Sequence, residues 1–232
     1  MFETTAPTTR RELSKAERRR RIVEAATSLL RESGFEAVSM LQIAERAGVS
    51  PATVYNLFQT KAAILQQVFD RDLRDYERHV DQAPAKGALD RIFKAVDIAA
   101  SLYRDDPGFY RAMAQAGRHK DTLRPAISER RIGFWKSMVA AARDAGSLVP
   151  ETDEGLLGVS LSQTMRGAFS EWAGGAISAE RLAQETCYGF SLALLAYAAA
   201  DAAAGLRERL RRLEAALAAD HRNQASGQEA NP

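Results

Sequence analysis

Residues 39–61 read SMLQIAERAGVSPATVYNLFQTK, and this stretch decides how the rest of the chain is parsed. Its spacing predicts two short helices joined by a tight turn. Ser39 follows the apolar Val38, where its hydroxyl can accept a free backbone N–H as an N-cap. Leu41, Ile43, Ala44 and Ala47 give the first helix a small inward face. Gly48 stands where the chain must turn, and a residue without Cβ enters the left-handed region freely. Val49 fills the corner. Ser50 caps the second helix, and Pro51 occupies its first position, where a missing N–H costs nothing. Val54, Leu57 and Phe58 face inward, which leaves Ala52, Thr53, Tyr55, Asn56 and Gln59 pointing outward.

This outward set is polar, small and aromatic, with no acidic residue. A helix-turn-helix lays such a face in the DNA major groove, its N-terminal residues nearest the bases. Hydroxyls and amides suit phosphate oxygens and base edges. The spacing is equally that of an ordinary αα-corner with a solvated outer face.

The residues also carry a likeness. Ile43-Ala44, Ala47-Gly48-Val49-Ser50, Thr53-Val54-Tyr55, Phe58, Lys61 and Leu65 resemble the DNA-binding region of the tetracycline-repressor (TetR) family of transcriptional regulators. The likeness runs from Arg18 to about Phe69. One departure is Ala52, where many members carry glycine; alanine is nearly as small. The resemblance implies an all-helical homodimer whose variable C-terminal domain binds a small-molecule effector. It also implies a phosphate near Lys61, a cation that otherwise opposes the dipole at the start of its helix.

Composition narrows the class. The 232 residues are 46% hydrophobic and 27% charged, enough for one larger domain or a small domain plus a larger one. Helix-favouring residues dominate, proline is scarce and no run alternates like a strand, so the chain is expected to be all-α. A net charge of +2 is too small to prove a nucleic-acid partner, so the placement of charge decides. The single Cys187 excludes an internal disulfide and fits a reducing, cytoplasmic compartment, where it reads as a small core residue. No signal peptide or membrane span is expected; the alanine-rich run from Tyr188 to Leu206 contains Asp201. There is no P-loop, GxSxG or HExxH motif, and His79, His119 and His221 share no metal-ligand spacing with Cys187. Neither an enzyme nor a cofactor is expected.

Upstream, residues 1–13 are expected to be a disordered basic arm. Residues 14–60 then form a three-helix head, with Ser14 and Glu17 as a capping box and Ile22, Ala25, Ala26, Leu29 and Leu30 as the first stripe. Arg10, Arg11, Lys15 and Arg18–Arg21 are either a solubilising face or phosphate contacts. The expected DNA-binding set is Arg18, Arg21, Ser39, Ser50, Ala52, Thr53, Tyr55, Asn56 and Lys61.

Downstream, residues 61–219 are expected to form the larger helical ligand-binding and dimerisation domain, and 220–232 a disordered tail. A helix from Lys61 to about Gln82 leads out of the head, and a last long helix runs from Ser178 to about Ala219. Small residues at Gly155, Gly158, Ser162, Gly167 and Ala168 permit close approach of a partner copy. Leu182, Gly189, Phe190, Ala193, Leu194 and Tyr197 supply the second stripe, although both stripes would equally serve packing within one subunit. Leu206, Leu210, Leu213 and Leu217 extend that interface or fold back on the core.

Aromatics and methionines concentrate mid-chain, as in apolar ligand sites and in ordinary cores. The candidate lining is Phe93, Tyr103, Tyr110, Met113, Trp135, Met138 and Phe169, with His119 and Gln163 as polar anchors. The expected partners are double-stranded DNA, a second copy and an apolar or aromatic effector, in a repressor. An activator, a ligand-independent DNA-binding factor, or a helical small-molecule-binding protein or enzyme are the alternatives.

Overall fold

The computed structural model describes residues 10–117 and 123–228. Among them the chain is all-α. The order is α1 (Arg10–Ala37), α2 (Met40–Ala47), α3 (Pro51–Phe58), α4 (Lys61–Gln82), α5 (Ala88–Asp105), α6 (Pro107–Ala116), α7 (Leu123–Asp144), α8 (Glu154–Ala173), α9 (Ala179–Leu195) and α10 (Ala200–Gln228). These fall into two compact units. One holds the chain up to Arg74 together with Asp106–Ile127; the other holds Asp75–Asp105 and the chain from Ser128 onward.

The first unit is built on α1, which buries Ile22, Ala26, Leu29 and Leu30 on one face. Each such aliphatic side chain contributes about 1.5–3 kcal/mol when taken fully out of water. Gly34 has a positive φ of 73° and kinks the last turn, which lets Phe35 and Val38 fold under the head. The helix begins before Ser14, so residues 10–13 are helical rather than an unstructured arm, and Ser14 is no N-cap. Its hydroxyl accepts instead from Arg18 Nη1 at 2.9 Å. Arg46 ties α2 to α1 through a two-pronged pair with Glu32, both contacts 2.7 Å. That pairing, with a bond from Ser28, holds the Glu32 carboxyl down at about 2.

Helix α6 lies in the same unit and packs on α1. Asp106 serves twice: one carboxylate oxygen caps Phe109 N–H at 3.3 Å, and the other accepts from Arg31 Nε at 2.5 Å. The Tyr110 hydroxyl donates to Asp72 of α4 at 2.9 Å.

In the second unit α8 packs against α9, and α9 against α5 and α10. A Cβ at Gly158 would sit 2.9 Å from the Lys136 backbone, and one at Gly189 would sit 2.7 Å from Thr164 Cγ2. These glycines therefore serve close packing of α8 on α7 and of α9 on α8. Ser162, Leu182, Phe190 and Leu194 are likewise buried within the subunit. The expectation that they form a face for a second copy is corrected. The α10 seam folds back on its own unit: Leu206 and Leu210 are buried, and the Arg209 guanidinium lies 3.9 Å from the Phe93 ring centroid.

The expected single helix from Ser178 is also corrected, because it breaks between Leu195 and Ala200. Val149 N–H donates to Tyr197 O at 2.9 Å and Ala199 N–H to Ser147 O at 3.1 Å. Pairing with the α7–α8 connection satisfies backbone groups that a continuing helix would have used, and it overrides the helix propensity of alanine. At the other end, α10 extends to Gln228, through most of the expected disordered tail.

The α3–α4 joint is strained. Gln59 has φ 60°, ψ −44°, and Thr60 N–H reaches back to Phe58 O at 2.6 Å. This is a γ-turn of the rare positive-φ kind. Because Gln59 is exposed, Gln59→Gly is expected to raise the stability of the head by about 1 kcal/mol, read as a higher thermal midpoint. Burial pushes the Cys187 thiol up to about 12, with Asp97 adding to and Arg209 opposing the shift. The native thiol is therefore expected to resist alkylation by iodoacetamide at pH 8 and to react once the chain is unfolded.

Candidate nucleic-acid interface

The geometry of residues 39–61 follows from caps at every helix end. The Ser39 hydroxyl accepts from Gln42 N–H at 3.3 Å, and the Gln42 side-chain oxygen accepts from Ser39 N–H at 3.0 Å. This is a complete capping box, and the S-x-x-Q spacing was its signal in the sequence. Gly48 takes φ 62°, ψ 42° and closes α2 from the left-handed region. The Ser50 hydroxyl caps α3 by accepting from Thr53 N–H at 3.2 Å, and it shares a further 2.8 Å contact with the Thr53 hydroxyl.

The inner face of α2 is Met40, Ile43, Ala44 and Ala47, the i, i+3, i+4, i+7 set. Leu41, expected to face inward, lies about 100° around the helix from Met40 and is 63% exposed. Val54 and Phe58 bury α3, and Leu57 is half-buried. Ala52, Tyr55, Asn56 and Gln59 are exposed, Tyr55 by 50%. Thr53 is half-buried against its cap partner.

The basic members of the expected set are placed differently. Arg18 lies on α1 beside Ser14. The Arg21 guanidinium donates to the Ala47 carbonyl and, at 3.1 Å, to that of Gly48. Lys61 Nζ donates to Phe35 O at 2.9 Å and stands 4.0 Å from the Phe35 ring centroid. Burial lowers the Lys61 pKa, opposed by the nearby Glu36. Of the expected set, Ser39, Ser50, Ala52, Tyr55 and Asn56 are thus exposed, and Leu41 is an exposed residue that the sequence reading missed.

These features identify the head. Residues 22–68 match the model of the bacterial regulatory proteins of the tetR family. Residues 22–68 are thus a tetR-family domain. It is 30% identical over 103 residues to the HTH-type transcriptional repressor KstR of Rhodococcus jostii (strain RHA1), a match covering 44% of this chain and 49% of that protein. The chain thus spans about half the length of that relative. A TetR transcriptional regulator from Rhodococcus sp. RHA1 shares the fold with TM-score 0.65 and 21% identity, over 78% of this chain and 97% of that one. The TetR-family repressor FadR of Thermus thermophilus, in complex with lauroyl-CoA, superposes with TM-score 0.64 and 22% identity, over 76% and 93%.

The expected effector residues are dispersed. Tyr103 lies 4.9 Å from Phe169 and 5.1 Å from Trp172, ring to ring. Trp135 lies 4.9 Å from both Phe134 and Phe190, and Phe134 lies 5.2 Å from Tyr76. Met138 is buried in the same unit, and Phe93 carries the Arg209 guanidinium. Tyr110 and Met113 belong to the other unit, on α6. Gln163 is exposed and accepts from Arg166 at 2.9 Å, so it is not a buried anchor. His119 lies outside the described residues. Among the described residues of this unit, Thr186 Oγ1 and Gln184 Oε1, both on α9, are buried oxygens without a hydrogen-bond partner.

Tyr55→Ala and Asn56→Ala are expected to weaken binding to a duplex selected from a random library by about 1–3 kcal/mol each. Both side chains are exposed, so thermal stability should change by no more than about 0.5 kcal/mol. Ser50→Ala should instead cost about 1 kcal/mol of stability, the loss of a cap. Fluorescence anisotropy and thermal melts separate the two behaviours.

Proposed function

We propose that this TetR-family chain is a dimeric repressor that reads a palindromic operator and is released by a small apolar or aromatic effector. The observation that carries the reading is α4. It is one uninterrupted helix whose first turns belong to the unit bearing the exposed α3 face and whose last turns belong to the unit bearing the aromatic clusters. A ligand bound to the second unit can act on the first only by preferring one arrangement of the chain over another. A coupling of about 1–3 kcal/mol changes operator affinity roughly 5- to 150-fold.

The aromatic groups of Tyr103, Phe169 and Trp172 and of Tyr76, Phe134 and Trp135 suit an apolar or ring-bearing effector, with Thr186 as the polar anchor in place of Gln163. The likeness in fold to a repressor crystallised with lauroyl-CoA supports an effector with a long apolar part.

A second copy is the partner that best fits the outer face of α8 and α9. Leu156 is 71% exposed and Leu192 49%, with Val159 and Tyr197 beside them in the sequence pattern. Pairing two such faces gives a four-helix interface, and two heads then bind two half-sites. Leu156→Glu with Leu192→Glu is expected to convert a dimer to a monomer in light scattering and to weaken operator binding by at least tenfold. The whole reading is tested by selecting a duplex from a random library and titrating lauroyl-CoA and aromatic compounds against the complex. Release by at least one compound is expected. A monomeric particle, or Tyr55→Ala binding the duplex as the unaltered chain does, would sink the proposal.

A further inference from the structure

Left-handed backbone in this chain is mostly left to glycine. Among the described residues Gly34, Gly48, Gly146 and Gly175 take positive φ, and Gln59 is the one other residue that does. At φ 60°, ψ −44° its Cβ crowds its own backbone, a cost that glycine would avoid. A strained residue persists only where its surroundings fix it, and such residues cluster at functional sites. Gln59 is held from both sides. Its N–H donates to Tyr55 O at 2.8 Å and closes α3. The Thr60 N–H donates to Phe58 O at 2.6 Å, and the Thr60 hydroxyl caps α4 by accepting from Ala63 N–H at 3.1 Å. Phe58 is buried, with the Arg19 guanidinium 4.3 Å from its ring centroid.

The strain places a side chain where it can act. Gln59 is exposed and stands one turn beyond Tyr55 and Asn56, at the end of α3 away from the Ser50 cap. The N-terminal residues of a recognition helix lie nearest the bases. Its C-terminal end therefore lies toward the rim of the groove, where the phosphates run. Free carbonyls at a helix C-terminus repel an anion. Here the Leu57 carbonyl accepts from Arg19 Nη1 at 2.7 Å, which sets a positive charge behind the turn. The glutamine amide carries N–H donors and no charge. Such a group can hold a phosphate oxygen while adding nothing to the salt dependence of binding.

We propose that Gln59 binds the duplex backbone, its amide donating to a phosphate oxygen of each half-site, and that the strained turn after α3 serves to project it. The proposal rests on the reading of this unit as a DNA-binding head. Stability and DNA affinity then move in opposite directions at this position. Glycine relieves the turn and removes the donor. Alanine keeps the strain and removes the donor. Lysine keeps the strain and sets a cation beside the phosphate.

The test uses the full chain, with Gln59→Gly, Gln59→Ala and Gln59→Lys, on a duplex that the unaltered protein selects from a random library and on copies of it carrying single base-pair changes. Thermal melts read the strain, and fluorescence anisotropy reads the contact. Gln59→Gly is expected to raise the midpoint by about 2–4 °C. Gln59→Ala should leave it unchanged, and both should bind about three- to tenfold more weakly on every duplex. Gln59→Lys is expected to bind at least as tightly as the unaltered chain. It should also steepen the slope of log K against log salt by about 0.9 for each phosphate contacted. Unaltered affinity in Gln59→Ala would overturn the proposal, because strain without an amide would then suffice. So would an unchanged slope in Gln59→Lys, which leaves no phosphate within reach. A loss in Gln59→Ala that depends on the base pair at one position would overturn it in favour of a base contact. A Gln59→Gly midpoint no higher than that of the unaltered chain would remove the strain, and the premise with it. Failure of the unaltered protein to select any duplex would instead sink the DNA-binding reading itself.

Discussion

The turn at Gly48 is the constraint on which the interface depends. A left-handed residue there ends α2 and lets Ser50 start α3 two residues later. The close approach is mutual: a Cβ at Gly48 would lie 2.7 Å from the Arg21 guanidinium that grips the same corner. Any other residue would meet both the backbone cost of the left-handed region and the displacement of that arginine. Because the turn is short and pinned, the direction of α3 is set by α1 and α2, and Tyr55 and Asn56 are presented on a rigid element. The proposed reading draws on that rigidity, because base-edge contacts are directional and lose strength with small misplacements.

The second unit is organised on another principle. Its helices approach closely where glycine allows it, at Gly158 against Lys136 and at Gly189 against Thr164. Large rings fill the space elsewhere, in offset and edge-on contacts that add to the area they bury. Two oxygens of α9 remain unsatisfied within this packing, an arrangement that costs free energy unless something else supplies a partner. The first unit, by contrast, uses several polar side chains as caps and clamps. Asp106 is a clear case, one carboxylate both starting α6 and fastening it to α1.

Much of this was legible in the residues. Ser39, Gly48, Ser50 and Pro51 each have one dominant local use, so the helix-turn-helix could be read from their order. The exposure of Ala52, Tyr55 and Asn56 followed from helical periodicity alone. Periodicity misled at Leu41, because an apolar side chain does not announce which side of a helix it takes when Met40 competes for the inner face. It misled again over Gly158, Gly189 and Phe190, because a stripe of small and apolar residues looks the same whether its partner is the same chain or another.

The sequence by itself determined the all-α class, the turn and its caps, and the acid-free outer face of α3, since all of these rest on interactions within a few residues. Only the tertiary structure decided where Arg19, Arg21 and Lys61 point, that α9 and α10 separate at Ala196–Ala199, and that Gln163 faces outward while Thr186 is buried. The reason is physical. A long cationic side chain can reach a phosphate or a carbonyl with the same local conformation, and an alanine run is helical until another segment offers its backbone a better partner. Those choices belong to contacts between residues far apart in the chain.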